Sequence, residues 1–160
     1  MLKRMKHKRL FYLLIFLVGG FLLLQVLNLI IPGLQPTNPP VMYTTQWNPP
    51  SAGDLWRSAC QDCHSNESHW PWYARIAPAS WLVLYDVHQG RNAFNISEGR
   101  RPETAEIIEV LLEGEMPPFQ YKLIHTDASL SDAERRELAD GMVTTWGGSY
   151  PAGEGEGGDD

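Results

Sequence analysis

Residues 58–66 read SACQDCHSN, and they hold Cys60 and Cys63, both cysteines of a 160-residue chain. His64 follows the second thiol directly. On a helix, positions i, i+3 and i+4 share one face, so Cys60, Cys63 and His64 would point the same way. Two things decide what such a face can do: whether the surrounding chain is helical, and which compartment holds the thiols.

The surroundings read as helical. Ser51-Ala-Gly-Asp54 has the form of a capping box, followed by LWRSACQDC. A second helix is expected through PASWLVLYDVHQ, with Pro78 in its first turn and Gly90 as its stop. A third, TAEIIEVLLE, sets Ile107, Ile108, Leu111 and Leu112 against Glu106, Glu109 and Glu113, and ends before Gly114. A fourth opens at Ser131, with Glu134 completing a second capping box, and runs to about Trp146. Leu138, Met142 and Trp146 recur along one of its faces. Convincing alternating strands are absent from the pattern, so the fold class is all-α.

The N-terminal part settles the compartment. Lys3, Arg4, Lys6, Lys8 and Arg9 form a basic stub over residues 1–9. Residues 10–31, LFYLLIFLVGGFLLLQVLNLII, are almost wholly apolar. As a helix they would span ~33 Å, enough to cross a hydrocarbon core of about 30 Å. A cleaved signal peptide has a shorter apolar region and a small-x-small site, whereas the first alanine here is Ala52. An uncleaved transmembrane anchor is therefore expected, with the basic end in the cytoplasm. The remainder then faces the periplasm or the cell exterior.

Residues 32–50 carry six prolines and read as an extended tether. Residues 148–160 are Gly-rich and acidic and read as a disordered tail. One small domain, 51–147, lies between them. Five of the 13 Lys and Arg precede residue 10, so the exported part sets eight against 19 Asp and Glu, a net charge of about −11. Nucleic-acid binding, which needs a basic footprint, is excluded by that balance. All six tryptophans, at 47, 56, 70, 72, 81 and 146, lie beyond the apolar stretch. A small helical core would be marginal without a staple or cofactor, and a bulky flat cofactor would make use of so many flat rings.

Two thiols at this spacing can form thioethers with the vinyl groups of haem, and the adjacent imidazole can then ligate its iron. Three other readings compete. A structural zinc site wants four tight ligands, and no spacing recommends His69 or His88 as the missing pair. A thioredoxin-like dithiol wants a βαβ context. A plain disulfide is permitted outside the cytoplasm but gives His64 no role.

Haem iron has a second axial position. Met116, in Glu115-Met116-Pro117-Pro118, is the candidate, because Pro117 bars it from the α region and stiffens the segment that carries its thioether. His125, in YKLIHTDASL, is the rival. Trp72 and Arg75, in WPWYAR, could wall the haem and bond its propionates, with Arg91 as plausible a partner as Arg75. Ordinary packing accounts for them equally well. Two asparagines, Asn66 and Asn95, sit in glycosylation-type triplets, which are too short to be specific.

The run CQDCHSNESHWPWYARIAPASWLVLYDVHQGR, with EMPPFQYKLIHTDASLSDAER after it, resembles the bacterial haem-binding domain family. In that family CxxCHSN is followed by WPWY, a helix ending in DVxxGR, then MPPxxY and a histidine. The resemblance covers about Asp54 to Trp146. It implies a small single-haem c-type cytochrome, with covalent haem on Cys60 and Cys63 and His64 as proximal ligand. By analogy with cytochromes c, the first and last helices of the domain should pack together.

The expectation is a membrane-anchored, single-span cytochrome that carries single electrons between redox proteins, rather than an enzyme. The alternative is a haem sensor or peroxidase with a labile sixth iron ligand, and His125 would then be the distal base.

Overall fold

A computed structural model describes the backbone of residues 2–151 and the side chains from His7 onward. The acidic tail expected at 148–160 lies outside the described residues from Ala152 on. The described chain is helical, with no strand; its one isolated bridge joins Asn95 and Arg100. The described residues form seven α-helices: α1 Leu2–Ile30, α2 Pro50–Ala59, α3 Gln61–His64, α4 Ala79–Ala93, α5 Thr104–Leu112, α6 Phe119–Lys122 and α7 Asp132–Trp146. The chain divides into two compact units, Met1–Thr37 with Trp70–Asp86 and Asn38–His69 with Val87–Asp160. The division passes through α4.

In the first unit, α1 is continuous from the basic residues into the apolar ones. Its stretch His7–Ile30 is long and apolar enough to cross a membrane, and its most apolar 18-residue window is not buried in the protein. Two carboxamides interrupt the apolar surface near its end. Gln25 donates Nε2–H to the Ala77 carbonyl at 3.0 Å, and its Oε1 accepts the Ala77 N–H at 3.1 Å. Asn28 is buried. It donates to the Arg75 carbonyl at 3.2 Å and accepts from Ser80 Oγ and Trp81 Nε1, each at 3.0 Å. The segment 75–81 is thus fastened to the last turns of α1.

The second unit has its core between α2, α5 and α7, built on Ala52, Trp56, Ile108, Leu111, Leu138 and Met142. The first and last helices of this unit pack together, as the cytochrome analogy implies. Their approach is close: a Cβ added at Gly141 would lie 2.2 Å from Ala52 Cβ. Trp47, Trp56 and Trp146 pack against one another, tilted or edge-on, with ring centroids 5.0–5.5 Å apart. Half the tryptophans therefore supply the core's own filling.

Several boundaries differ from the sequence reading. Ser51 caps nothing: α2 starts at Pro50, with Pro49 as N-cap. Proline is preorganised for the first helical position and lacks only an N–H that would be unpaired there. The helix breaks at Cys60 (φ −125°, ψ −34°) before the single turn α3. Gly90 does not stop α4, which runs on to Ala93. The capping box of α7 forms as expected, between Ser131 and Glu134. The proline-rich segment is extended, and much of it is fastened to the second unit. Met42 and Tyr43 donate their N–H groups to the Ser97 carbonyl at 2.9 and 3.0 Å, and Trp47 packs on the core.

Candidate functional site

Cys60 is the hinge of the thiol motif. Its carbonyl accepts the N–H groups of Cys63 at 3.2 Å and His64 at 3.0 Å, which closes one helical turn. The turn holds Cys63 and His64 against the end of α2, from which Cys60 projects. The two thiols are not joined in a disulfide. Burial, and then the neighbouring Cys63, push the Cys60 thiol up to about 12. A thiol kept protonated is a poor redox nucleophile, so Cys60 is not poised to start a dithiol exchange. With no strand among the described residues, the thioredoxin-like context is missing as well.

His64 is buried and its ring stacks on Phe94, with centroids 4.0 Å apart and planes at 16°. Its Nδ1 lies 3.3 Å from the Phe94 carbonyl. A carbonyl can only accept, so Nδ1 carries the proton and Nε2 keeps its lone pair. Burial lowers the pKa of His64, and the carbonyls of Phe94 and Gly90 oppose that only in part. The ring is thereby held neutral, in the tautomer a metal ligand needs, by the backbone bond typical of ligating histidines.

Glycine explains how α4 reaches this turn. A Cβ at Gly90 would lie 2.5 Å from the Cys63 carbonyl oxygen and 2.7 Å from Cys63 Cβ. The residue read as a helix stop is instead the point of contact between α4 and the motif. One residue on, Arg91 donates Nε–H to the Ser65 carbonyl at 2.9 Å and its terminal nitrogen to Ser68 Oγ at 2.9 Å and Asn38 Oδ1 at 3.0 Å. Arg91 is a brace for the CHSN loop.

Asn66 completes the brace. It is buried, donates to the Pro40 carbonyl at 2.9 Å and accepts from Asn95 Nδ2 at 2.8 Å. Asn95 is buried too. Both asparagines of the glycosylation-type triplets are therefore interior hydrogen-bonding groups, closed to a glycan. The sequence offered the signal in the SN that follows CxxCH, but not the partner 29 residues away.

The downstream segment is tied to the motif. Tyr121, three residues beyond Pro118, donates its hydroxyl to Asp62 Oδ2 at 2.9 Å, and Asp62 lies between the two cysteines. Met116 is 39% exposed. His125 is half-buried, stacked on Tyr121 at 4.1 Å, with Nδ1 3.3 Å from the Tyr121 carbonyl. His125 thus has the same tautomer as His64. Trp72, 76% exposed, and Arg75, also exposed, belong to the other unit.

Two observations bear on whether a porphyrin fits. Among the described residues no three His, Cys, Asp or Glu side chains gather around one point, as a tetrahedral zinc site requires. Two thiols and one imidazole with a free lone pair are a donor set spread for a larger group. Trp56 Nε1 is a buried donor with no partner among the described residues. Its indole packs on Phe94, 6.1 Å between centroids, and Phe94 carries the His64 ring. Buried donors are nearly always paired, and a haem carboxylate is the kind of acceptor this one lacks.

No curated protein and no solved structure matches the chain. Residues 21–144, well over half of it, match the family described as haem-binding domain, so the chain belongs to that family and is a haem-binding protein.

Proposed function

We propose that the haem is attached covalently as a single c-type group through Cys60 and Cys63, and that the protein carries electrons beside the membrane that α1 spans. The observation that supports this most is His64: neutral, buried, oriented by Phe94, and one residue from a thiol on the same turn. When bound, haem iron supplies one-electron chemistry by cycling between two oxidation states. Cys60 and Cys63 would fix the ring edge, and His64 Nε2 would ligate the iron. Gly90 and Arg91 hold the turn in place from α4. Met116 is the proposed second ligand, which would close the iron to substrates and raise its reduction potential. His125 is the second reading for that place, because its bond to the Tyr121 carbonyl also leaves Nε2 free. The basic residues at the start of α1 favour the cytoplasm, which would put the haem domain on the periplasmic or outer side.

Haem staining on denaturing gels, after expression with a c-type maturation system, tests the attachment. A stained band near 18.1 kDa is expected. Haem that acidified acetone extracts would overturn covalent attachment while leaving haem binding intact.

A further inference from the structure

The first unit joins two stretches far apart in sequence: α1, and the segment from Trp70 to Asp86. Gln25 and Asn28 make that join, and both lie within the helix read above as a membrane span. A carboxamide facing lipid is costly unless its groups are satisfied. Here the backbone at Arg75 and Ala77 and the side chains of Ser80 and Trp81 satisfy them.

This fixes the depth of the segment. His7–Ile30 is 24 residues long, ~36 Å as a helix against a hydrocarbon core of about 30 Å. Asn28 and Gln25 lie roughly 3 and 8 Å from the end at Ile30, so they sit at the edge of the hydrocarbon. Whatever they bind lies in the interfacial layer.

The segment bears apolar residues that the protein leaves uncovered: Trp72, Ile76, Leu82 at 54% and Tyr85 at 60% exposure. Successive helical residues turn by about 100°, so Tyr85 lies about 40° and Leu82 about 100° around α4 from Trp81. Trp81, whose indole is bonded to Asn28, therefore begins a stripe that Tyr85 and Leu82 continue. Trp and Tyr favour the membrane interface, and an exposed arginine there keeps its charge among phosphates. Trp72, Tyr85 and Arg75 provide this set.

We propose that Trp72–Tyr85 is a second membrane-contacting element, seated in the interfacial layer beside the end of α1, with Trp72, Ile76, Leu82 and Tyr85 in lipid and Arg75 at the headgroups. It rests on reading α1 as a span. Trp72 and Arg75, read from the sequence as haem neighbours, are assigned to lipid instead.

Photocrosslinking on the full-length, haem-loaded protein in native membranes tests this. p-Benzoylphenylalanine is put in place of Ile76, Leu82 or Tyr85, with Phe16 of α1 and the exposed Glu109 of α5 as references. Phe16, Leu82, Tyr85 and Glu109 are exposed, and Ile76 is partly so at 37%. Phospholipid adducts, read as the mass gain of the labelled peptide, should be several-fold more abundant at 76, 82 and 85 than at 109, and present at 16. Adducts at 16, with 76, 82 and 85 no higher than 109, would overturn the interfacial element and leave the span standing. No lipid adduct at 16 would overturn the span and the element with it. Protein–protein adducts in place of lipid at 76, 82 and 85 would identify the stripe as a subunit interface and refute the lipid assignment.

Discussion

The Tyr121 hydroxyl and the Asp62 carboxylate meet at 2.9 Å, which ties the segment after Met116-Pro117-Pro118 to the interior of the Cys60–Cys63 pair. Burial and Asp62 raise the Tyr121 pKa well above its ordinary value, so the phenol stays protonated and keeps donating. Tyr121→Phe removes one charge-assisted bond, worth about 1–2 kcal/mol at a half-buried site. Chemical denaturation should show that loss. The haem spectrum should move as well, with a larger high-spin fraction, because the loop carrying both proposed distal ligands is no longer fastened. A stability loss with an unchanged spectrum would make the bond structural only.

Gly90→Ala sets two effects against each other. Alanine favours a helix interior over glycine by about 1 kcal/mol. The new methyl would sit 2.5 Å from the Cys63 carbonyl oxygen, which is backbone on a one-turn helix and cannot swing aside. Overpacking of this kind costs about 1–3 kcal/mol, so the clash should win. The melting temperature should fall, and haem incorporation with it, since the displaced turn carries His64. A rise in melting temperature would show that α4 can retreat from the motif.

Haem binding was open to reading along the chain, and the packing was not. Cys60, Cys63 and His64 declare themselves by spacing, and α7 by Ser131 and Glu134, because both signals are local. Gly90 looked like a stop because glycine's helical penalty is a local property, while its contact with Cys63 spans 27 residues. Ala52 and Gly141 form the close helix crossing, yet neither differs in sequence from any other small residue. Ser51 imitated a cap because the local pattern leaves out the prolines that start the helix. Arg91 and Arg75 looked alike along the chain, because the bonds of Arg91 to Ser65, Ser68 and Asn38 join residues 23 or more positions away.

Asn28→Leu makes the span more apolar and should still loosen the first unit. The Ser80 hydroxyl and Trp81 indole would lose the acceptor they share. An unsatisfied buried donor costs about 1–3 kcal/mol. Hydrogen exchange in nanodiscs should quicken in peptides covering 75–81 and stay unchanged in α7. Equal protection in the variant would show that the carboxamide does not fasten the segment.

The haem-free protein should weaken in mild acid. His64 has a folded-state pKa below its unfolded value of about 6.5. Its neutral form therefore favours folding in full above that value. The contribution is lost as pH falls from there through the folded pKa, because the unfolded chain takes up the proton first. Denaturation midpoints between about pH 7 and 5 should decline, and His64→Gln should flatten the decline. Haem-loaded protein should lack it, since Nε2 is then occupied.

The distal ligand decides the function, and Met116 and His125 lie nine positions apart on either side of α6. If the Met116 thioether ligates, the ferric protein is low-spin and shows the weak far-red charge-transfer band of sulfur–iron bonding. Met116→Ala should abolish that band, lower the reduction potential and open the iron to carbon monoxide, because thioether ligation favours the ferrous state. His125→Ala should leave all three properties in place, while costing the stacking on Tyr121, about 0.5–1.5 kcal/mol. The reverse pattern, a low-spin spectrum lost in His125→Ala and kept in Met116→Ala, would establish a bis-histidine iron. The free lone pair on His125 Nε2 makes that outcome chemically sound. Electron transfer survives either result, since both ligand sets fill the sixth position. Ready binding of carbon monoxide by the unaltered ferrous protein would remove it, because an open site is what a sensor or peroxidase needs.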